Sequence, residues 1–544
     1  MTAIYSRLLR HWSWASVGAV VFAAGFVWLV GHRGIFLLDQ SILFDGAWRV
    51  YQGQVPYRDF VTAFPPLPFY IQSFFFRLTG VDFSAMVLAA AVLNAVAAIC
   101  VIWLTRHFVS DLPAVALIAG LLTAVWFQAP FGTLWFEQTA FFFNLLALVL
   151  LVKCLDSGQY VAGAYRVAAG VLLCASMLSK QNAGVEFIPI ALGVAAIPQL
   201  PQMRKAAISV FQTFAGLFLG FGVFAIWLWT FSSPADFWHC YVVLTRQIGA
   251  DRISLASTVL GMITVGVTLH YSIVALGALA GGISKSRTAS TPVLNRGLII
   301  WIVVGCVFYQ NLFKLHTDNE IENSLPYLGL IYGLSFGLFW KYAVSAEVRT
   351  ATWARKGIYL CVAGIVLGLP FYNGLRHSWD RTVQEFRAGT AFVNAVQVPK
   401  MSRVKWGEPT NFGLESTLSQ HDFEALNAWL AATKANFFVF PDSTILYGLQ
   451  GRVSPQPWLY FSPGHSFLKE ELPKVDEVVV DALRRNNVRV IILERDSWVG
   501  NQSLWKQMPT LEAWIVNDFE KVRQFGLYDV RMSREFLQSK GNEP

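Results

Sequence analysis

Charge is what this chain has least of. Asp, Glu, Lys and Arg make up 14% of its 544 residues, against roughly 25% in a soluble protein. An ordinary soluble globule is excluded. Cysteine is sparse too: Cys100, Cys154, Cys174, Cys240, Cys306 and Cys361. Five fall in or beside apolar stretches and the polar C-terminal part has none, so neither a disulfide framework nor a zinc pattern follows. Thiols packing as small hydrophobes account for them. A Walker A loop, a dinucleotide fingerprint and a Gly-x-Ser-x-Gly elbow are all missing, which argues against a nucleotide-dependent cytoplasmic enzyme. No internal repeat stands out. The first apolar run, from about Trp12 to Val30, follows Arg7 and Arg10 but lacks a small-residue cleavage site. It exceeds a leader's apolar core and is close to the roughly 20 residues of a spanning helix, so it reads as an anchored helix.

What the chain does have is apolar length. Hydrophobic residues are 55% and aromatics 15% of the total. Apolar spans recur near 12–31, 83–105, 112–128, 138–153, 161–178, 184–200, 207–231, 257–281, 297–313, 322–340 and 357–372. That predicts an α-helical polytopic membrane protein with about eleven crossings. The net charge of +8 sits in short clusters between spans, the distribution of orientation signals rather than of a nucleic-acid surface. With the N-terminus cytoplasmic, one side collects Arg7, Arg10, Arg106, Lys153, Arg166, Arg204, Lys205 and further cations with few acids. The other mixes signs, with Asp39, Asp45, Arg49, Arg58, Asp59, Glu137, Lys180, Arg246, Arg252 and Lys314. One side looks like an address and the other like a site. An odd number of crossings puts the C-terminal part outside. Within the first outer segment, Pro65, Pro66 and Pro68 open an apolar stretch of about 13 residues, too short to span and expected as a helix lying in the interface.

Past Tyr372 the composition turns mixed. Residues 436–440 and 488–493 read as strands, each preceded by a helical pattern, at 421–432 and 475–486. The expected organisation is a transmembrane domain over 1–372, with an outer loop at 32–82, and a small extracytoplasmic α/β domain over 373–544.

Candidate chemistry lies on the mixed-charge side. Asp39 is expected to end the first crossing, where a carboxylate has restricted solvation and suits deprotonation of an incoming hydroxyl. The plain alternative is a solvated loop aspartate. Arg58, Lys180, Arg246, Arg252 and Lys314 are donors of the kind a lipid-phosphate leaving group needs. Lys180 sits in the short polar break Ser179-Lys180-Gln181-Asn182-Ala183-Gly184; a snorkelling lysine would look the same. The turn from Lys314 through His316 to Glu320 mixes phosphate donors with oxygens from Asp318, Glu320 and Glu322 that a hard divalent cation would accept, although loop acids commonly just face water. No metal ligand is assigned. Glu137 follows Trp135 and Phe136, which fits sugar contact or an interfacial aromatic belt equally.

Taken together, Asp39, Gly53, Val55-Pro56-Tyr57-Arg58-Asp59-Phe60 and Pro65-Pro66 resemble the first outer loop of GT-C fold glycosyltransferases. More narrowly, the chain is similar to bacterial membrane glycosyltransferases related to protein O-mannosyltransferases and the lipid A aminoarabinose transferase. By that resemblance Asp39 takes the place of the catalytic aspartate and Asp59 falls in a Tyr-Arg-Asp motif. Lys180-Gln181-x-x-Gly184 matches the family's break, and Lys314, with His316 nearby, stands where the late outer loop has a basic residue. The stretches 440–443, 446–452 and 462–464 look like the family's outer domain. Gln40 replaces the usual second acid, and Ala63-Phe64 replace the basic residue before Pro-Pro.

The resemblance implies a polyprenyl-phosphate-linked monosaccharide donor and inverting transfer on the outer face of a bacterial inner membrane. In that expectation Asp39 is the base, and Lys180, Arg58 and Lys314 hold the donor phosphate. Asp59, Glu137, Gln181 and His316 orient groups or meet the acceptor, which is an envelope glycan, lipid or protein. Membrane lipids are the other partners and nucleic acid is not one. The alternative is a flippase for a polyprenyl-linked glycan, although transporters place ionisable groups at mid-membrane and show repeated halves. A non-catalytic assembly partner is a third.

Overall fold

A computed structural model describes residues 2–246, 267–286, 293–317, 325–344, 352–381, 386, 389–408, 418–495 and 504–541. The chain is a multi-pass membrane protein. Among the described residues, six helices are long and apolar enough to cross a bilayer: Phe83–Phe108, Phe136–Asp156, Gln159–Met177, Met203–Phe231, Arg296–Lys314 and Trp353–Asp380. Shorter apolar helices run over Trp14–Val30, Pro113–Trp126 and Leu328–Val344. Among the described residues, each expected span falls on a helix. The shortfall from eleven comes from length: Gln181–Ala196 has 16 residues, with Pro189 inside it. The start of the span expected at 257–281 lies outside the described residues.

The first nine helices are α1 (Thr2–Val30), α2 (Asp39–Tyr51), α3 (Leu67–Thr79), α4 (Phe83–Phe108), α5 (Pro113–Trp126), α6 (Phe136–Lys153), α7 (Gln159–Met177), α8 (Gln181–Ala196) and α9 (Met203–Phe231). The stretch expected as an outer loop therefore holds two helices. α3 has 13 residues and starts at the predicted prolines, because proline's fixed φ suits a first helical turn that needs no N–H donor.

The chain forms two compact units. Unit 1 comprises 1–31, 89–225 and 252–379. Its core is apolar and runs through most of the spans. With no hydrophobic drive between helices in lipid, buried polar side chains help to hold them. Asn94 is the example. Its Nδ2 donates to the Ala23 and Ala124 carbonyls, both at 2.9 Å, and its Oδ1 accepts from the Gln128 N–H at 3.2 Å. One side chain thus joins α1, α4 and the end of α5.

Unit 2 comprises 32–88, 226–251 and 380–544. The segment after the first span therefore folds with the C-terminal part. Its sheet has strands β1 (Phe437–Phe440), β2 (Val490–Glu494), β3 (Phe519–Phe525) and β4 (Tyr528–Ser533), in spatial order β1-β2-β4-β3. β1 and β2 are parallel, with Phe437 opposite Val490. β4 runs antiparallel to both β2 and β3. Phe438, Phe440, Ile491 and Leu493 line one face, against Val475, Val479 and Leu483 of the helix Leu472–Arg485 and Leu511 and Ile515 of Pro509–Asp518. Asp476 caps the latter helix, accepting the Thr510 and Leu511 N–H groups at 2.7 and 2.8 Å. α2 packs on α3 so closely that a Cβ at Gly46 would lie 2.3 Å from the Phe69 ring.

Replacing Asn94 with Ala should weaken unit 1 by roughly 1–2 kcal/mol, the range for interhelical hydrogen bonds in lipid. A lowered thermal midpoint in detergent checks this, and an unchanged midpoint would show that the three bonds carry no net stability.

Candidate active site

The chemistry-bearing side chains fall in both units. In unit 2, α1 does not run on to Asp39. It ends at Val30, nine residues earlier, and Asp39 instead opens α2. Its carboxylate is half-buried in the first turn of a helix, where the aligned peptide dipoles favour negative charge. Gln40, fully buried, fixes that turn: its Oε1 accepts the Phe36 N–H at 2.9 Å. The residue that departs from the family pattern thus has a structural task beside the carboxylate.

One turn further on, Asp45 and Arg49 form a fully buried ion pair at 3.0 Å. Arg49 also donates to the carbonyls of Gln456 (3.0 Å), Pro457 (3.4 Å) and Trp458 (3.1 Å). Burial pushes the Asp45 carboxyl up to about 6, against the opposing pull of Arg49. Sequence reading assigned this pair no role, although its i,i+4 spacing is a usable signal.

Arg58 and Asp59 close on one another through two hydrogen bonds, of 2.9 and 2.7 Å. Asp59 also accepts the Val55 N–H at 2.8 Å, and Arg58 donates to the Phe231 carbonyl at 3.1 Å. The Arg58 hydrogen bonds hold the Asp59 carboxyl below its usual range. Just before them the chain kinks at Tyr57, with φ +70°, whose hydroxyl donates to the Phe64 carbonyl at 2.9 Å. Arg246 is exposed.

In unit 1, Glu137 and Lys180 meet at 2.7 Å. Glu137 is 5% exposed and Lys180 21%, so the pair sits at the edge of the core. Glu137 occupies the first turn of α6, and Lys180 immediately precedes α8. The α7–α8 turn needs glycine at 184, where a Cβ would lie 2.5 Å from the Met177 nitrogen. The helix Val293–Thr317 brings Lys314 to the same end of the bundle. Its Tyr309 hydroxyl donates to the Ala183 carbonyl at 2.8 Å, and its Phe313 packs on Phe141 at 5.1 Å. Asn144 donates to the same Ala183 carbonyl at 3.1 Å. Glu137, Lys180, Gln181 and Lys314 are therefore gathered at one end of unit 1. The side chain of His316 lies outside the described residues, as do Arg252, Asp318, Glu320 and Glu322. Among the described residues no group of three His, Cys, Asp or Glu side chains is arranged to hold a metal ion.

Residues 63–229 match the sequence profile of the dolichyl-phosphate-mannose-protein mannosyltransferase family. That stretch includes Glu137, Lys180 and Gln181 but not Asp39, Arg58, Asp59 or Lys314. The structure is similar to ArnT from Cupriavidus metallidurans bound to undecaprenyl phosphate, with 12% identity, TM-score 0.53, and 95% of this chain and 97% of that one covered. It is similar also to the apo state of ArnT from the same organism, with 11% identity, TM-score 0.51 and the same coverage. The chain has the GT-C glycosyltransferase fold. With the family match across the segment that holds the Glu137–Lys180 pair, that makes it a membrane glycosyltransferase. No curated protein matches it in sequence.

On this GT-C scaffold the buried Asp45 has a pH signature. Its folded pKa stands near 6 against an ordinary 3.8. Its contribution is therefore complete below about pH 4 and is lost as pH rises through about 6. Thermal midpoints in detergent, measured across that window, should fall for the wild type relative to Asp45→Asn. Parallel curves would show that Asp45 titrates normally.

Proposed function

We propose that this enzyme moves a monosaccharide from a polyprenyl-phosphate carrier to an acceptor hydroxyl on the outer face of a bacterial inner membrane, with inversion at the sugar carbon. Asp39 takes the proton from the hydroxyl as its oxygen attacks. The carrier phosphate leaves with the bonding electrons, and Lys180 and Lys314 balance the charge it gains. Glu137 holds the Lys180 ammonium in place, and Gln181 lies beside it at the start of α8. Arg58 contributes through the clamp with Asp59, which shapes the Tyr57 turn. His316 belongs to the same late segment as Lys314. Holding both substrates at the interface supplies much of the rate.

The observation that carries this proposal is the gathering of Glu137, Lys180 and Lys314 at one end of the unit 1 helices. Cations placed at a span end suit a lipid phosphate, and one solved structure with this fold, ArnT from Cupriavidus metallidurans, is bound to undecaprenyl phosphate. In the same proposal the N-terminus is cytoplasmic, about eleven helices cross the bilayer, and residues 373–544 lie outside. The acceptor is a glycan, lipid or protein of the envelope.

Asp39→Asn in purified enzyme supplied with a labelled polyprenyl-phosphate sugar should remove turnover at least a hundredfold, with expression and thermal midpoint retained. Lys180→Met should weaken carrier binding. Normal turnover by the Asp39 variant would overturn the assignment of the base.

A further inference from the structure

At the opposite end of unit 1 lie two cavities with a common wall. α6 carries Glu137 in its first turn and Lys153 in its last, an axial separation of about 25 Å at 1.5 Å per residue. Beyond that far end is a polar cavity of about 600 Å³, with Arg166, Lys205, Gln199 and Gln212 in its lining. The second cavity, also of about 600 Å³, is an apolar groove between α1 and α4. Val17, Val20, Val21, Ile99, Ile102 and Trp103 line it, with Arg106 at its polar end. His107 and Asp156, 3.4 Å apart, line both.

The pairing of shapes matters more than either cavity alone. A polar head site beside a hydrocarbon groove along the spans, with His107 and Asp156 shared between them, is complementary to an amphiphile. The charge says which one. Arg106, Arg166 and Lys205 face one acid, Asp156. Arg166 is half-buried; Gln212 accepts from its Nη1 at 3.0 Å, and its Nε is buried with no hydrogen-bond partner. Lys153 lies over the Trp103 ring at 5.6 Å, adding a cation at the groove's wall. Basic pockets between helices on the positively flanked side of a membrane protein suit anionic head groups, and this is the end where the Lys and Arg excess predicts cytoplasm.

We propose that this double cavity binds an anionic glycerophospholipid of the bilayer. One acyl chain lies in the α1–α4 groove, and the head-group phosphate sits among Arg106, Arg166 and Lys205. A free phosphate would leave the groove unfilled. A zwitterionic lipid would bring a second cation to a site already positive. The proposal is independent of the transfer reaction: within unit 1, Glu137, Lys180 and Lys314 are at the other end of the helices.

The test uses the full chain in detergent, stripped of lipid and titrated with dioleoyl phosphatidylglycerol, dioleoyl phosphatidylcholine, undecaprenyl phosphate and inorganic phosphate. Bound species are counted by native mass spectrometry. Phosphatidylglycerol should be retained about tenfold better than phosphatidylcholine, roughly 1.4 kcal/mol. Lys205→Gln, which removes a charge, and Val20→Trp, which fills the groove, should each cut retention severalfold while the lipid-free thermal midpoint stays put. Equal retention of the two phospholipids would overturn the proposal, as would full retention in both variants. Displacement by inorganic phosphate would make this a plain anion site, and preference for undecaprenyl phosphate would give it to the carrier; either result refutes the lipid assignment. Should a variant lose stability, the wild-type preference between the two phospholipids decides.

Discussion

Unit 2 depends on how Arg49 is satisfied. A guanidinium has five N–H donors and no acceptor, and this one is 1% exposed. Water cannot serve it, so the protein must. It does so with the Asp45 carboxylate from its own helix and three consecutive backbone carbonyls, those of residues 456, 457 and 458. Removing one partner of such a buried pair costs about 3–5 kcal/mol, because the other charge is left uncompensated. The contact spans 407 positions in the chain, and it is reinforced on either side. Trp48 donates to the Arg452 carbonyl at 2.7 Å, and Gly448 leaves room for the Phe44 ring, to which a Cβ would come within 2.5 Å. α2 is thereby built into the C-terminal fold, and with it Asp39 at its first position.

Unit 1 solves a related problem differently. Glu137 and Lys180 neutralise one another at the edge of an apolar bundle, where desolvation is partial and the Coulomb gain is larger than in water. Behind them stand two tyrosines whose hydroxyls are engaged. The Tyr309 hydroxyl donates to the Ala183 carbonyl and the Tyr327 hydroxyl to the Phe141 carbonyl. The Tyr327 N–H donates to Gln310 at 2.8 Å. These bonds tie α6, α8 and the helix Val293–Thr317 together at the level of Lys180. Lys180, in the turn that precedes α8, is thus fixed by its ion pair to the first turn of α6.

Much of this was legible in the chain. The spans, the short proline-led helix α3, and the strands β1 and β2 with their preceding helices follow from local apolarity and period. The hairpin of β3 and β4 escaped notice because β3 presents Glu520, Lys521 and Arg523 outward and reads as a polar connector. The apparent outer loop concealed α2, which is continuously buried from Gln40 to Val50. Its mixed polar and apolar residues make sense only once partners cover every side of it. Among the site residues, Asp39, Asp59, Glu137 and Lys180 stand out by type and place. Nothing in their spacing shows that the exposed Arg58 folds back onto Asp59 or that Glu137 captures Lys180.

The sequence by itself determined that this is a helical membrane protein with a polar, partly stranded C-terminal part, because the partitioning of apolar segments into lipid depends on composition over some 20 residues and on little else. Tertiary structure alone decided that 32–88 folds with 380–544, and which charges are matched and which buried. Those outcomes rest on contacts between residues hundreds of positions apart, and electrostatic energy depends on distance and solvation in three dimensions, neither of which a linear pattern encodes.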